Sequence, residues 1–302
     1  MFPWSTTQQE MKAGSVKALA RLLSAVENEV AGYLDFLAQL QPGKAPLIGI
    51  TGPPGAGKST LTDALIDHWV GEDQKLAVLC VDPSSPFNLG ALLGDRIRMS
   101  SWYNHPQVYI RSLATRGALG GLHPQIMEMV AVLQAAGFDR VLVETVGVGQ
   151  SEVEIAGLAD ATVVVLVPEG GDEVQTMKAG LMEIADLFVV NKADRPGSAK
   201  FVTHLKQMMA PAFLRNHALP ILTTVAAEKQ GMAELAAAID QHLSSTATKE
   251  RRAWLLAERA YLGLQKERMK NISKIELKNK VQAALDQPGF HFYAFLHTLL
   301  HG

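Results

Sequence analysis

A glycine-rich stretch near residue 50 has the residue types and spacing of a phosphate-binding loop. Residues 52–59 read GPPGAGKS, which fits the pattern G-x-x-x-x-G-K-[ST]. Glycines let backbone N–H groups turn toward an anion, Lys58 brings a positive charge to the outer phosphates, and the Ser59 hydroxyl can bind Mg²⁺. A helix predicted to begin near Lys58 adds the positive end of its dipole. The loop therefore predicts nucleotide binding. The predicted contacts are Gly52, Pro53, Pro54, Gly55, Ala56, Gly57, Lys58, Ser59 and Thr60.

Two acids stand at the ends of other predicted strands. Asp82 ends the run KLAVLCVD, and Glu144 lies near the end of RVLVET. Because the carboxyl ends of parallel strands line the ligand crevice of an open sheet, both acids are predicted to face a Mg²⁺ ion or its waters. Taken alone, an acid at a strand end is also compatible with a helix cap or a turn.

The stretch ETVGVGQSE, residues 144–152, is typical of a nucleotide sensor. The Gly147 backbone N–H can bind a terminal phosphate and lose that contact after hydrolysis, which is how a nucleotide switch works. Gln150 is a candidate for orienting the attacking water.

The stretch VVNKAD, residues 189–194, predicts which base is bound. The Asp194 carboxylate can accept hydrogen bonds from both N1–H and the exocyclic amine of guanine. Adenine has an acceptor at N1 and no amine at C2, so it would match that carboxylate badly. Asn191 and Lys192 are expected to brace the loop and cover the ring. These residues predict a guanine nucleotide.

All these candidates need a scaffold that brings the ends of separate strands together. Seven short apolar runs predict strands, at residues 46–50, 75–82, 107–112, 140–145, 161–167, 187–192 and 220–224. Most are continuous rather than alternating, which is typical of strands covered on both faces. Helices are predicted at 58–70, 124–136, 174–184 and 231–243. The alternation predicts an α/β fold with a doubly wound, mostly parallel sheet.

Helical segments flank this core. Residues 15–40 predict a helix with Ser15 as its cap, and the break at 41–46 marks a boundary. Residues 248–285 are charged and helical, and they suit either a helix folded back on the domain or a dimerisation arm. We therefore expect an N-terminal helical extension (1–42), a P-loop domain (43–245) and a long C-terminal helical arm (246–302).

The bulk composition limits the class of protein. The net charge is −2 over 302 residues, which does not favour a broad nucleic-acid or acidic-membrane surface. No apolar run approaches the roughly 18 residues of a membrane span, and no signal peptide is visible. The single cysteine, Cys80, cannot form an internal disulfide and has apolar neighbours that predict burial. The expectation is a cytoplasmic protein that binds neither nucleic acid nor membrane.

Seven motifs in order resemble one family. TGPPGAGKST, VDPSSP, LGDRIRM, ATRGALGGL, LVETVGVGQSE, GGDEVQTMKAG and EIADLFVVNKAD are similar to the MeaB/ArgK group of P-loop GTPases, and the likeness covers nearly the whole chain. The resemblance implies a homodimeric GTP hydrolase that uses GTP, GDP and Mg²⁺. It also implies a chaperone of an adenosylcobalamin-dependent acyl-CoA mutase, chiefly methylmalonyl-CoA mutase, which gates cofactor loading and protects or reactivates the mutase.

The resemblance assigns roles by position. Lys58, Glu144 and Asp95 match catalytic positions, and Ser59, Asp82 and Glu144 match the metal side. Residues 115–122 and 170–180 correspond to switches, although the first is also compatible with a plain glycine loop. The implied switch residues are Arg116, Gly117, Gly120, Gly121, Gln150, Asp172 and Lys178.

Two stretches depart from the family pattern. The third switch reads QTMKAG at 175–180, where the family often has QGIKKG. The way this switch couples to a partner protein can therefore differ from that of other family members. The last base-contacting loop usually carries Ser-Ala. Here it reads LTTVAAEKQG, and its assigned contacts are Ala226 and Ala227.

Two other functions stay open at this stage. An arginine/ornithine transport kinase would need a phosphoacceptor site, and none is obvious. A nickel metallochaperone GTPase would need histidine or cysteine clusters, whereas the chain has one cysteine and nine scattered histidines.

Overall fold

The computed structural model describes residues 1–41, 43–82, 99–116, 122–147, 151–169, 184–209, 219–245, 247–269 and 271–301. Within these ranges seven strands form one sheet in which all pairings are parallel, in the order β3-β2-β4-β1-β5-β6-β7. The predicted α/β fold is confirmed. The strands are β1 (Leu47–Thr51), β2 (Leu76–Asp82), β3 (Val108–Ala114), β4 (Arg140–Glu144), β5 (Ala161–Leu166), β6 (Leu187–Asn191) and β7 (Ile221–Thr224).

The central strands are buried on both faces, which explains their continuous apolar sequences. All seven residues of β2 are buried. Alternate side chains enter two separate hydrophobic clusters: Val78 and Cys80 join one, and Leu79 and Val81 join the other. Cys80 is therefore a buried thiol, as its neighbours predicted.

Helices cover both faces of the sheet. In the first unit they are α1 (Trp4–Lys12), α2 (Val16–Glu27), α3 (Tyr33–Ala38), α4 (Lys58–Gly71), α5 (Ile126–Ala135), α6 (Ser151–Ala156), α7 (Ser198–Met209) and α8 (Met232–Leu243). Helices α4 and α8 contribute to one hydrophobic cluster, and α2 and α5 contribute to the other. The helix predicted at 174–184 lies almost entirely outside the described residues.

The single helix predicted over residues 15–40 is wrong in its extent. Ser15 caps α2 as predicted, accepting a hydrogen bond from the Ala18 amide, but α2 ends at Glu27 and α3 begins only at Tyr33. The chain takes left-handed conformations at Glu29 (φ 49°) and Gly32 (φ 88°), and such residues cannot continue a right-handed helix.

The chain divides into two compact units, Met1–Thr248 and Lys249–Gly302. The first holds the N-terminal helices together with the sheet. The C-terminal region contains α9 (Ala247–Met269), α10 (Lys274–Leu285) and α11 (Phe292–His301). The helix predicted through 248–285 is thus interrupted, because Ser273 caps a new helix by accepting from the Glu276 amide. None of the helices in the described ranges is long and apolar enough to cross a membrane.

Candidate active site

The glycine-rich loop joins the end of β1 to the start of α4. Gly52, Gly55 and Gly57 have φ values of 141°, 77° and 88°, a region that favours glycine. A Cβ atom on Gly52 would lie 2.1 Å from the Val165 carbonyl oxygen, so no larger residue fits there. Backbone conformation favours glycine at all three positions, and packing adds a second constraint at Gly52 and Gly57.

Lys58 lies back over its own loop. Its Nζ donates hydrogen bonds to the carbonyl oxygens of Gly52, at 2.9 Å, and Pro53, at 3.2 Å. The residue is 7% exposed. The loop thus holds a positive charge at the point where its backbone N–H groups and the N-terminus of α4 would receive an anion.

A cleft of about 440 Å³ opens beside this loop. Ser59, Asp82 and Glu144 line it from α4, β2 and β4 and are all buried, because the sheet order places β2, β4 and β1 side by side. The Ser59 hydroxyl donates to Glu144 Oε1 at 2.6 Å. The structure therefore brings together three oxygen-bearing side chains that are far apart in sequence.

This set of side chains fits a magnesium ion. Mg²⁺ prefers oxygen ligands and uses few protein carboxylates, and one hydroxyl with two carboxylates beside a phosphate loop meets that preference. The remaining described part of the chain offers no group of three or more histidine, cysteine or acidic side chains arranged to hold a metal.

Thr62 is a site residue that the sequence analysis missed. It is fully buried, and its Oγ1 lies 2.9 Å from the Lys58 carbonyl oxygen and 3.1 Å from Glu144 Oε2. Together with Ser59 it holds both oxygens of the Glu144 carboxylate. The available signal was its spacing, since residues three apart lie on one face of a helix.

Asn191 ties three loops together at the end of β6. Its Nδ2 donates to the Ala56 carbonyl oxygen at 3.0 Å. Its Oδ1 accepts from Thr224 Oγ1 and from the Ala226 amide, both at 3.1 Å. Lys192 Nζ donates to the Gly55 carbonyl oxygen at 2.8 Å. Both side chains therefore hold the phosphate loop against the loop that follows β6.

We expect the change Asn191→Ala to weaken both the fold and the nucleotide site. It removes three hydrogen bonds from a buried residue, so the free energy of unfolding should fall by about 2–4 kcal/mol. GTP affinity should fall about tenfold because the phosphate loop loses its brace. Urea unfolding and a nucleotide titration measure the two effects, and exposed Asn104 provides the control Asn104→Ala. Equal effects of the two changes would contradict this role.

Asp194 lies exposed beyond Asn191 and lines a different cavity, of about 540 Å³, near Thr224, Gly231 and Glu234. The next residue, Arg195, donates a hydrogen bond to Glu169, which follows β5, and thereby lowers the pKa of the Glu169 carboxyl.

The other loop assigned to base contact lies on the short helical turn after β7. Its two predicted contacts differ in exposure, since Ala226 is buried and Ala227 is exposed.

Gly147 approaches the phosphate loop closely. Its φ is 77°, and a Cβ atom there would lie 2.4 Å from Lys58 Nζ and 2.6 Å from the Gly52 carbonyl oxygen.

Of the predicted switch residues, Arg116 lies within the described ranges, and it contacts Glu27 of α2. One predicted catalytic residue, Asp95, and six predicted switch residues lie outside the described residues; the six are Gly117, Gly120, Gly121, Gln150, Asp172 and Lys178.

Three comparisons with known proteins agree with this geometry. The family model for methylmalonyl-CoA mutase-associated GTPase MeaB matches residues 19–285. A Pyrococcus horikoshii protein whose name describes a GTPase is 42% identical over 295 residues, which is 95% of this chain and 91% of that protein. The fused isobutyryl-CoA mutase of Geobacillus kaustophilus is 37% identical over 241 residues, covering 73% of this chain and 22% of that protein. The crystal structure of an LAO/AO transport system kinase has a TM-score of 0.69 at 26% identity, covering 98% of this chain and 96% of that one.

Proposed function

Because this chain belongs to the MeaB family of methylmalonyl-CoA mutase-associated GTPases, we propose that it is a GTP-hydrolysing switch that serves as chaperone of an adenosylcobalamin-dependent acyl-CoA mutase. The hydrolysis of GTP to GDP and phosphate follows from the family and from the match to a phosphate-loop fold. The mutase as client, the gating of its cofactor loading and its protection or reactivation are the proposed part.

One observation carries the mutase as client. In the fused isobutyryl-CoA mutase, a segment similar to most of this chain is part of the same polypeptide as the mutase. Fusion holds two modules at high effective concentration, which is useful when one acts on the other. A separate chain of the same family is then expected to act on a mutase that it must bind.

The site geometry accounts for nucleotide binding and hydrolysis. Lys58 and the loop N–H groups place positive charge around the phosphates, and hydrolysis of GTP needs mainly positioning and charge stabilisation. Ser59, Asp82 and Glu144 would hold Mg²⁺, which supplies positive charge at the phosphate oxygens when bound. Glu144, fixed by Ser59 and Thr62, keeps its carboxylate directed at this position.

The sensing step is assigned to Gly147. Its Cα lies close to Gly52 and Lys58 of the phosphate loop, and this closeness supports a contact between its N–H group and a bound phosphate. Loss of that phosphate after hydrolysis would release the contact, and the change would pass along the chain that follows. This is the physical means by which the nucleotide state would reach a partner protein.

Recognition of guanine is assigned to Asp194, and the change Asp194→Asn tests it. The amide offers one acceptor where the carboxylate offers two, so we expect KM for GTP to rise about 100-fold with kcat little changed. The preference for GTP over ITP, which lacks the 2-amine, should fall in the same variant. Steady-state hydrolysis of both nucleotides measures this, with exposed Asp73→Asn as control. A GTP-to-ITP preference equal to that of the unmodified protein would contradict the assignment.

The mutase is tested by measuring GTP hydrolysis with and without an adenosylcobalamin-dependent acyl-CoA mutase from the same organism. We expect slow hydrolysis by the protein alone and faster hydrolysis with methylmalonyl- or isobutyryl-CoA mutase. The variant Lys58→Ala should show no stimulation. Fast hydrolysis that is indifferent to every such mutase would contradict the chaperone role.

A transport-system kinase is the second candidate, since the similarity to the LAO/AO transport system kinase covers nearly the whole chain. A kinase transfers the terminal phosphate to an acceptor, whereas a GTPase releases it to water. Labelled phosphate from [γ-³²P]GTP should therefore appear in solution. Label retained on this protein or on a transport component would favour the kinase.

Homodimer formation also belongs to the proposal. In the second unit, large apolar side chains lie exposed, with Trp254 at 76%, Ile275 at 73% and Tyr261 at 63%. Such side chains are typical of a surface that another chain covers. A second copy of this chain is the proposed occupant, and a cytoplasmic location completes the proposal.

A further inference from the structure

Glu27, the last residue of α2, connects the N-terminal helices to the residues around the end of β3. Its carboxylate accepts hydrogen bonds from Arg111 on β3 and from Arg116, with Arg116 Nη2 at 2.9 Å. The Glu27 side chain is only 14% exposed. Its two arginine partners lie 84 and 89 residues away in sequence, so the tertiary fold creates these contacts.

Residues 27–29 at the end of α2 also contact His123 and Gln125, which lie further along the chain. His123 Nε2 lies 3.7 Å from Glu27 Oε1, and Gln125 Nε2 donates to Glu29 Oε1 at 2.7 Å. Burial lowers the pKa of His123 to about 4, so its ring is neutral at pH 7 and leaves the Glu27 charge to the two arginines. Residues 27–29 therefore hold the chain both before and after residues 117–121.

Arg116 has a backbone conformation that residues other than glycine rarely adopt. Its φ is 49°, in the left-handed region, and its guanidinium bonds the Glu27 carboxylate, the Glu27 carbonyl oxygen at 3.4 Å and Asn28 Oδ1 at 3.2 Å. These contacts with the end of α2 give the side chain a defined place. The position of Arg116 thus depends on the N-terminal helices.

A short path leads from Arg116 to the nucleotide cleft. The adjacent Thr115 amide donates to the Asp82 carbonyl oxygen at 3.1 Å. The Asp82 side chain is one of those that line the phosphate cleft. Glu27 is therefore linked to the cleft wall through one ion pair, one covalent step and one hydrogen bond.

The second arginine is not needed to hold α2 in place. Leu22, Leu23 and Val26 of α2 are fully buried, and Arg111 alone can neutralise Glu27. The Arg116 side chain is 37% exposed, and an ion pair with such an exposed partner adds little net stability because water screens the attraction. Loss of the Glu27–Arg116 contact should therefore cost the fold little, so its effect on activity can be tested separately.

We propose that Glu27 is a positioning residue for GTP hydrolysis, which acts through Arg116 and Thr115 to fix Asp82 at the wall of the nucleotide cleft. The N-terminal helices then form part of the support of the nucleotide site. This inference rests on the GTPase activity and does not depend on a mutase partner.

The test is steady-state GTP hydrolysis by the full chain without any mutase, together with thermal unfolding. Arg116→Gln should lower kcat about tenfold with little change in KM, because the cleft wall is misplaced while the phosphate loop is intact. Its midpoint of unfolding should move by only a few degrees. Arg116→Lys keeps the charge and should recover part of the lost kcat. The matched control Arg111→Gln removes the other arginine of the same carboxylate, and it should lower the midpoint while keeping kcat within about twofold.

A double variant distinguishes positioning from a purely structural role. If Glu27 acts through Arg116, the combined variant Glu27→Gln, Arg116→Gln should have about the kcat of the more impaired single variant. An Arg116→Gln variant with unchanged kcat, or effects of the two changes that multiply, would overturn the proposal. A failure of mutase stimulation would appear only in the separate experiment with mutase and would leave this result intact.

Discussion

The change Lys58→Ala is expected to lower kcat for GTP hydrolysis by about 1,000-fold, since it removes a positive charge beside the proposed position of the reacting phosphates. Lys58 Nζ is held by the carbonyl oxygens of Gly52 and Pro53, so its charge is already in place before the nucleotide binds. Preorganised charge of this kind costs no rearrangement during the reaction. Phosphate release at saturating GTP measures the effect.

The fold should survive this change. Lys58 is the first residue of α4, and its Nζ donates hydrogen bonds to carbonyl oxygens of the phosphate loop. It belongs to none of the hydrophobic clusters that hold the helices on the sheet. Lys75 provides a control of equal charge. It is exposed and directly precedes β2, at the amino-terminal ends of the strands and away from the phosphate loop, so Lys75→Ala should keep full activity. If Lys58→Ala hydrolyses GTP within about tenfold of the unmodified protein, Lys58 does not have the assigned role.

The change Gly147→Ala should lower GTP hydrolysis by about 100-fold through a methyl group alone. The new Cβ would lie 2.6 Å from the Gly52 carbonyl oxygen and 2.4 Å from Lys58 Nζ, closer than a Cβ atom approaches other heavy atoms in real structures. The φ of 77° is also unfavourable for alanine. Lys58 can move away from the methyl group, but the Gly52 backbone cannot move without opening the phosphate loop. Hydrolysis and GDP affinity, measured side by side, report the change.

Gly71→Ala is the matched control for this prediction. Gly71 ends α4, and a Cβ atom there meets nothing within 4 Å. We expect normal hydrolysis and an unchanged or slightly raised stability, because alanine is the better helix former. A Gly147→Ala protein as active as Gly71→Ala would show that the backbone at 147 does not have to lie against the loop.

Much of the scaffold could be predicted from local sequence. Continuous apolar runs such as residues 76–82 predicted strands covered on both faces, and the sheet is parallel and covered on both faces. The glycine spacing before Lys58 predicted the loop, and the observed φ values require those glycines. Helix ends were predicted less well. Residues 15–40 and 248–285 each contain a break, at Glu29 to Gly32 and before Ser273, where local backbone geometry outweighs helical periodicity.

The amino-acid sequence by itself determined the candidate residues for the chemistry: the phosphate loop, the acids at the strand ends and the residues that follow β6. Only the tertiary structure decided which of them touch. Ser59 reaches Glu144 across 85 residues and Asn191 reaches Ala56 across 135. Glu27 reaches Arg116 across 89. These contacts depend on the order of the strands and on where helix α2 ends. The energy that sets both is spread over the whole core, so no short pattern contains it.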